Sequence, residues 1–164
     1  MLKELAPRRT RKPLTRSQMM ARIRSQNTVP EVLARRAVHA LGIRFRKNVR
    51  DLPGKPDLAN KTRRWAIFVH GCFWHFHQGC RLASSPKSNT AYWKQKLNQN
   101  RRRDAANIEA LERLGYRVLI IWECDVRDGQ LLTNALADFF PVDLSQRHHD
   151  GRSRLQEDDP ASLR

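Results

Sequence analysis

The sequence predicts a single α/β domain, in which a mixed sheet is flanked by helices. Its 164 residues suit one domain with short tails. Two apolar runs, 65–70 and 117–123, have the length of buried strands, and helical repeats of apolar residues precede, separate and follow them. No run reaches the ~20 apolar residues of a membrane-spanning helix, and the basic N-terminus lacks an apolar signal core. These features argue against a membrane or secreted protein.

The first half of the domain has recognisable start and stop signals. Thr28 and Glu31 have the spacing of a capping box at the start of a helix, and Gly42 supplies the stop. Residues 43–49 alternate like a half-buried strand, and a link rich in Pro and Gly leads from them into a short strand at 57–59. The pattern therefore changes from one helix to a pair of strands.

The second half alternates between strands and helices. Residues 65–70 are apolar, which is typical of a central strand, and the irregular segment 71–88 that follows is dense in Cys, His and aromatic residues. A long helix is predicted at 89–114, a second buried strand at 117–123 and an amphipathic helix at 128–140. Together the elements predict a small mixed sheet with helices packed against it.

Charge and composition divide the chain. A flexible basic arm is expected at 1–14, the folded domain at 15–140 with a short helix at 15–25, and a polar, disordered tail at 141–164. Residues 1–64 hold 18 basic and 4 acidic side chains, so +14 of the total formal charge of +16 lies there. This asymmetry predicts a polyanionic partner, by default nucleic acid. A basic surface without such a partner is the alternative.

All three cysteines can join one metal centre. Its four candidate ligands are Cys72, His77, Cys80 and Cys124. A structural zinc site takes four N or S ligands, whereas an odd number of cysteines does not fit a closed disulfide framework. A zinc ion here would hold a long loop that has few packing residues. Buried cysteines that only fill space are the alternative.

A carboxylate and two histidines suggest a second centre. Asp57 begins a short strand opposite His70 and His75. Such a carboxylate could hold a divalent cation such as Mg²⁺ near a phosphate, and a neutral histidine could take a proton from the attacking water. A turn-capping aspartate and ordinary loop histidines fit the same spacing, so the residues alone leave both interpretations open.

Four motifs closely resemble those of the very-short-patch repair endonucleases, which are DNA mismatch endonucleases. The motifs, which occur in the same order, are LPGKPD at 52–57, WAIFVHGCFWHFHQGC at 65–80, YWKQKL with NRRRD at 92–104, and GYRVLIIWEC at 115–124. The resemblance covers about residues 14–140, and HGCFWH is highly specific for that family. It implies a restriction-endonuclease-like fold, a mixed sheet flanked by helices, with a structural zinc loop.

The resemblance also implies catalytic roles. The matching residues are Asp57, His70, His75, Asp104 and Glu31. Asp57 and the carbonyl of Val69 would ligate Mg²⁺, and His75 would activate water. Asp104 would support the catalytic histidine, while His70 and Glu31 would approach the same centre. The best-known members have Thr at the position of Val69, and the acidic-x-Lys tripeptide of the wider superfamily is absent. The four zinc ligands of the family match the Cys and His set above.

Aromatic residues and one helix face are candidates for DNA contact. Phe73 and Trp74 lie in the metal-tethered loop, which favours their outward presentation over burial in the core. A 3-4-4 spacing on the long helix aligns Trp93, Lys96, Asn100 and Asp104, either as a DNA-contacting stripe or as a solvated face. By resemblance, Phe73, Trp74 and Trp93 form a wedge that enters DNA beside a mismatch.

Other apolar residues are expected in the core. Leu97, Ile108 and Leu111 are predicted to form a separate face of the long helix that packs on the sheet. Trp65 and Trp122 lie in the two apolar strands, where a core position is expected.

The leading hypothesis is a Mg²⁺-dependent endonuclease that nicks one strand at T:G mismatches. Such mismatches arise when 5-methylcytosine deaminates, so the resemblance implies a functional link to a cytosine-5 methyltransferase. It also implies a MutL-type mismatch-repair protein as partner, a monomeric state and a bacterial cytoplasmic location at the nucleoid. The alternatives are a zinc-stabilised DNA-binding module without catalysis, and a related nuclease that acts on a different mismatch or site.

Overall fold

The computed structural model describes residues 26–84 and 86–141. The predicted basic arm, the helix at 15–25 and the tail from 142 onward lie outside the described residues. The elements in chain order are α1 (Val29–Ala40), β1 (Arg46–Lys47), β2 (Leu58–Asn60), β3 (Trp65–His70), a 3₁₀ turn (Arg81–Ala83), α2 (Thr90–Arg113), β4 (Arg117–Trp122), α3 (Glu123–Arg127) and α4 (Gly129–Phe139). Within this part of the chain, no helix is long and apolar enough to cross a membrane.

The four strands form one mixed sheet in the order β1-β2-β3-β4. β1 and β2 are antiparallel, as are β2 and β3, whereas β3 and β4 are parallel. Parallel strands need a long crossover, and helix α2 supplies it. His70 and Trp122 are register partners at the last pair of β3 and β4. The segments that leave these two strands therefore start side by side at one edge of the sheet.

Helices cover both faces of the sheet. On one face, Ile67 and Ile121 pack with buried residues of α1, α3 and α4, namely Ala34, Val38, Val126, Leu132 and Leu136. On the other face, Ala66 and Phe68 pack against Leu111 of α2. This arrangement confirms the predicted α/β fold class. Trp65 is in the first core cluster, as expected.

Some element boundaries differ from the prediction. The strand expected at 43–49 contains only Arg46–Lys47. Irregular backbone pairing continues beyond it, since the Asn48 amide donates to the Asp57 carbonyl at 2.9 Å. Asn48 has a φ of +50°, which no regular strand allows. The second apolar strand ends at Trp122, and α3 begins directly after it. The Asp125 carboxylate accepts the Trp122 amide at 3.1 Å and so caps this unpredicted helix.

The loop before β2 depends on one glycine. Gly54 has a φ of +70°, and a Cβ at this position would lie 2.9 Å from Cβ of Asn107 on α2. A side chain here would therefore meet both an unfavourable backbone conformation and a clash. The close approach seats the loop on α2 and places Asp57, which follows Pro56, beside the end of β3.

Candidate active site and metal centre

The predicted catalytic residues share one cleft. A cavity of about 970 Å³ opens between the start of α1, the loop before β2, the end of β3 and the middle of α2. Its walls include all six residues of the expected centre: Glu31, Asp57, Val69, His70, His75 and Asp104. They come from five separate segments, so only the folded chain assembles them. Arg50, Lys55 and Arg103 add positive charge to the same walls.

Asp57 is half-buried and fixed by the neighbouring strand. Its Oδ2 accepts the backbone amide of Val69 at 2.7 Å. Burial raises the pKa of Asp57 to about 6, and the nearby Glu31 carboxylate adds to the rise, although the Val69 bond opposes it. The bond engages one carboxylate oxygen, so the other can serve a cation or water. Ionisation of Asp57 therefore destabilises the folded protein, and a bound cation would offset this cost.

We expect Asp57→Asn to raise the free energy of unfolding in Mg²⁺-free buffer at pH 8. The folded-state pKa of about 6 exceeds the ordinary value of 3.8, so the stability linked to protonation is present below pH 3.8 and is lost as the pH rises through 6. At ~1.4 kcal/mol per pKa unit the gain should be roughly 1–3 kcal/mol, and it should vanish near pH 4. Urea unfolding from pH 4 to pH 8 measures it. A variant less stable than the parent at pH 8 would contradict this account.

His75 and Asp104 form an oriented pair. His75 Nδ1 lies 2.5 Å from Asp104 Oδ2, and Arg103 donates to the other carboxylate oxygen at 3.2 Å. Burial alone would raise the pKa of Asp104, but the hydrogen bonds from His75 and Arg103 contribute to a pKa below its usual value. An ionised Asp104 favours the tautomer with a proton on Nδ1. The Nε2 of His75 is then left as a proton acceptor.

His70 stacks on His75. Its ring lies parallel to that of His75, with centroids 3.8 Å apart and an interplanar angle of 9°. Burial, followed by the proximity of His75, lowers the pKa of His70 to about 4. His70 is therefore neutral at pH 7. A neutral ring can pack against His75 without the repulsion that two imidazolium ions would suffer.

Glu31 faces the cleft from the first turn of α1. Its Oε2 accepts the Asn27 amide and its Oε1 accepts the Thr28 hydroxyl, each at 2.8 Å. The predicted capping box is therefore only partly formed, because the Thr28 side chain donates to Glu31 and does not accept a helix amide. Glu31 is buried, with 8% of its surface exposed. These two bonds hold its carboxylate in place.

The four predicted metal ligands converge at the neighbouring edge. The donor atoms of Cys72, His77, Cys80 and Cys124 all lie within 4.8 Å of one another. His77 Nδ1 is 3.7 Å from the sulfur of Cys72 and 3.3 Å from that of Cys124. A tetrahedral centre with ordinary metal–ligand bonds would place N and S about 3.5 Å apart. Burial, with the adjacent thiol of Cys72, raises the pKa of Cys124 to about 12. The cluster can hold a four-coordinate metal ion.

Three aromatic residues pack together beside the cleft, and Trp74 is one of the residues that line it. Phe73 lies 5.0 Å from Trp74 and 5.3 Å from Trp93, measured between ring centroids. Phe73 and Trp74 are half-buried, whereas Trp93 is 8% exposed. The buried amide of Asn100 donates to the carbonyl of Trp74 at 2.9 Å. Two residues of the expected stripe on α2, Trp93 and Asn100, therefore support the aromatic loop.

The expected division of α2 into two faces is wrong. Trp93, Leu97, Asn100 and Leu111 are all buried on one face, whereas Lys96 is exposed. A turn of 3.6 residues brings positions 93, 97, 100, 104 and 111 to the same side. This face packs against the sheet along its C-terminal half and supports the aromatic residues along its N-terminal half.

Sequence reasoning missed two residues at the end of β4. Trp122 was expected in the core, but it is half-buried and belongs to neither core cluster. Its ring stacks on His77 at 4.1 Å and meets the edge of His70 at 5.4 Å. Glu123 lines the cleft and pairs with Arg127 at 2.6 Å. The sequence did contain one indication that these two residues lie near a site, because they directly precede the candidate metal ligand Cys124.

Comparison with known proteins agrees with this geometry. The family model for the DNA mismatch endonuclease Vsr matches residues 10–81. The type II nicking enzyme V.XorIIP of Xanthomonas oryzae pv. oryzae is 46% identical over 116 residues, which are 71% of this chain and 85% of its own. V.NmeAIP of Neisseria meningitidis, a type II nicking enzyme, is 41% identical over 121 residues, with 74% and 86% covered. The DNA mismatch endonuclease Vsr of Escherichia coli K12 is 40% identical over 120 residues, with 73% and 76% covered. The chain therefore belongs to the Vsr family of DNA mismatch endonucleases.

Proposed function

We propose that this endonuclease requires Mg²⁺ and nicks one strand of duplex DNA at a T:G mismatch. The observation that carries the proposal is the single cleft in which Asp57 faces the oriented His75–Asp104 pair. A DNA-binding module without catalysis has no need of such a pair. The names of the relatives in Xanthomonas and Neisseria, type II nicking enzymes, support the cleavage of one strand.

We propose that Asp57 and the carbonyl of Val69 hold the Mg²⁺. When bound, the cation would stabilise the negative charge that develops on the scissile phosphate. The Val69 amide holds Asp57 at the end of β3, and both residues line the same cleft. Arg50 and Lys55, on the cleft walls, supply charge for neighbouring phosphates.

His75 then acts as the general base. Its Nε2 takes a proton from the attacking water, while Nδ1 donates to Asp104, whose charge stabilises the imidazolium that forms. His70 stays neutral and stacks on His75, which restricts rotation of the catalytic ring. Glu31 is held by Asn27 and Thr28, and its carboxylate adds negative charge beside Asp57.

We propose that the Cys₃His cluster binds a structural zinc ion. Sulfur and nitrogen donors in a closed set of four suit zinc, and Mg²⁺ prefers oxygen. Cys72 and Cys124 follow the parallel strands β3 and β4, so the ion would join the two segments that leave the sheet. The aromatic residues between Cys72 and His77 would then sit in a short tethered loop.

Purified protein is expected to contain one zinc ion per chain, and Cys124→Ala should remove it. Loss of a closed metal site removes part of the folding free energy, so the variant should unfold at lower urea and bind zinc weakly. Elemental analysis and urea unfolding measure both effects. Val126→Ala is the matched control, because Val126 is buried in the same helix but is not a ligand. Full zinc content in Cys124→Ala would contradict this ligand set.

We propose that Phe73, Trp74 and Trp93 form a wedge that enters the duplex beside the mismatch. A mismatched step unstacks more easily than a Watson–Crick step, and an inserted aromatic ring recovers part of the stacking. Lys96 is exposed on the same helix and would contact the DNA backbone or a base edge, while Asn100 fixes the backbone of Trp74.

Trp74→Ala is expected to weaken binding to a T:G duplex by about 1–3 kcal/mol and to weaken matched binding much less. Stacking distinguishes the two duplexes, whereas the basic first half of the chain attracts both. Binding titrations at several salt concentrations measure the difference. As the control, deletion of residues 1–12 should weaken both duplexes together. Equal losses on both duplexes from Trp74→Ala would mean that Trp74 is not a wedge.

We propose that the mismatches arise by deamination of 5-methylcytosine, which links this enzyme to a DNA cytosine-5 methyltransferase. A nick at the mismatch must be followed by strand resynthesis, and a MutL-type repair protein is the proposed partner. A chromosomal substrate implies action in the bacterial cytoplasm. A catalytic cleft whose proposed residues all come from one chain suits a monomer.

A further inference from the structure

Trp122 lies between the metal cluster and the catalytic histidines. It ends β4 opposite His70, which ends β3, so the two side chains leave neighbouring strands on the same face of the sheet. The Trp122 amide is bonded to Asp125 of α3, the helix that carries Cys124. The tryptophan is therefore fixed both by the sheet and by the segment that supplies a metal ligand.

Four aromatic rings run in contact from one centre to the other. His77 stacks on Trp122 with centroids 4.1 Å apart and planes within 5°. Trp122 meets His70 edge to face at 5.4 Å and 75°, and His70 stacks on His75 at 3.8 Å. A histidine ring turns easily about two single bonds unless its neighbours restrain it. Each ring in this series restrains the next.

We propose that Trp122 is a positioning residue that holds His70, and through it His75, while its other contact orients the metal ligand His77. The proposal rests on the proposed function, because it assumes that His75 activates water. Packing in the hydrophobic core does not explain Trp122, since it is absent from both core clusters. The structure therefore gives one side chain two tasks: orienting a metal ligand and orienting the catalytic histidines.

The test compares Trp122→Leu, which removes the ring, with Trp122→Phe, which keeps one. Supporting outer residues of this kind typically contribute 10–100-fold to activity or metal affinity. We expect Trp122→Leu to lower the single-turnover nicking rate on a T:G duplex about 10–100-fold, with Kd changed by less than about twofold. Zinc release to a chelator, measured without DNA, should accelerate about tenfold. Trp122→Phe should restore both to within about threefold of the parent.

Trp65→Leu is the matched control. Trp65 is buried at the other end of the β3–β4 pair and contacts Phe140. It should lose stability while keeping the parent nicking rate and zinc release. The proposal is overturned if Trp122→Leu matches the parent in both measurements, or if Trp65→Leu changes them equally. If Trp122→Leu does not fold, Trp122→Met replaces it. If the parent fails to nick the duplex, the proposed function is overturned. The zinc-release comparison between parent and variants still tests the positioning role of Trp122.

Discussion

Asp57→Asn is expected to lower the single-turnover nicking rate at least about 10³-fold, because a catalytic cation stabilises the transition state by several kcal/mol. Asparagine keeps the shape of the side chain and can still accept the Val69 amide. It loses the charge that would hold Mg²⁺. Binding to a T:G duplex should change by less than about threefold, since aromatic and basic residues elsewhere carry it.

Asp51→Asn is the control for this change. Asp51 is an exposed aspartate on the loop that precedes β2, where it pairs with Lys61, and it is not among the residues that line the cleft. The substitution alters the net charge of the protein equally, so it should leave the nicking rate unchanged. Retention of the parent rate by Asp57→Asn would show that the cation is held elsewhere.

His75→Ala is expected to lower the nicking rate about 10²–10⁴-fold, the usual contribution of a positioned acid–base group. The loss should appear in the single-turnover rate with saturating enzyme, because the role proposed for His75 is to take a proton from the attacking water. Asp104→Asn should also slow nicking, since the amide cannot stabilise the imidazolium or select the same tautomer.

The double variant tests whether His75 and Asp104 act as a unit. If they do, His75→Ala with Asp104→Asn should be no slower than His75→Ala alone, because Asp104 has no ring left to orient. His39→Ala, on the exposed side of α1, is the control for loss of a histidine. Multiplicative losses in the double variant would mean that the two side chains act independently.

Much of the fold follows from local sequence signals. Periodicity and stop signals place α1, β3 and α2 within a residue or two of their observed ends. The short helix α3 does not follow from them, because the apolar run through Trp122 gives no sign that the strand ends there. Its start depends on Asp125, whose capping bond forms only once the chain turns at the edge of the sheet. β1 is short because the positive φ of Asn48 interrupts regular pairing.

The sites were predictable to different extents. The number of cysteines and the chemistry of zinc ligands predict the metal cluster before the fold is known, because few alternative roles use all three thiols. The catalytic cleft is different, since spacing alone leaves Asp57 and the histidines open to ordinary structural roles. Only the resemblance implies catalytic roles for them, and the structure places them around one cleft. Neither the sequence pattern nor the resemblance predicted a site role for Trp122. Its apolar strand predicts a core position, and its contacts with His70 and His77 become visible only in the folded structure.

Strand-resolved nicking of a panel of duplexes tests the central proposal most directly. Each duplex carries T:G, another mismatch, or the matched pair in varied flanking sequences, with a different fluorophore on each strand. With Mg²⁺ and excess enzyme, the proposal predicts one nick in one strand of a T:G duplex, little cleavage of the matched duplex and no product in EDTA. Equal cleavage of matched and T:G duplexes, or an undiminished rate in EDTA, would contradict it.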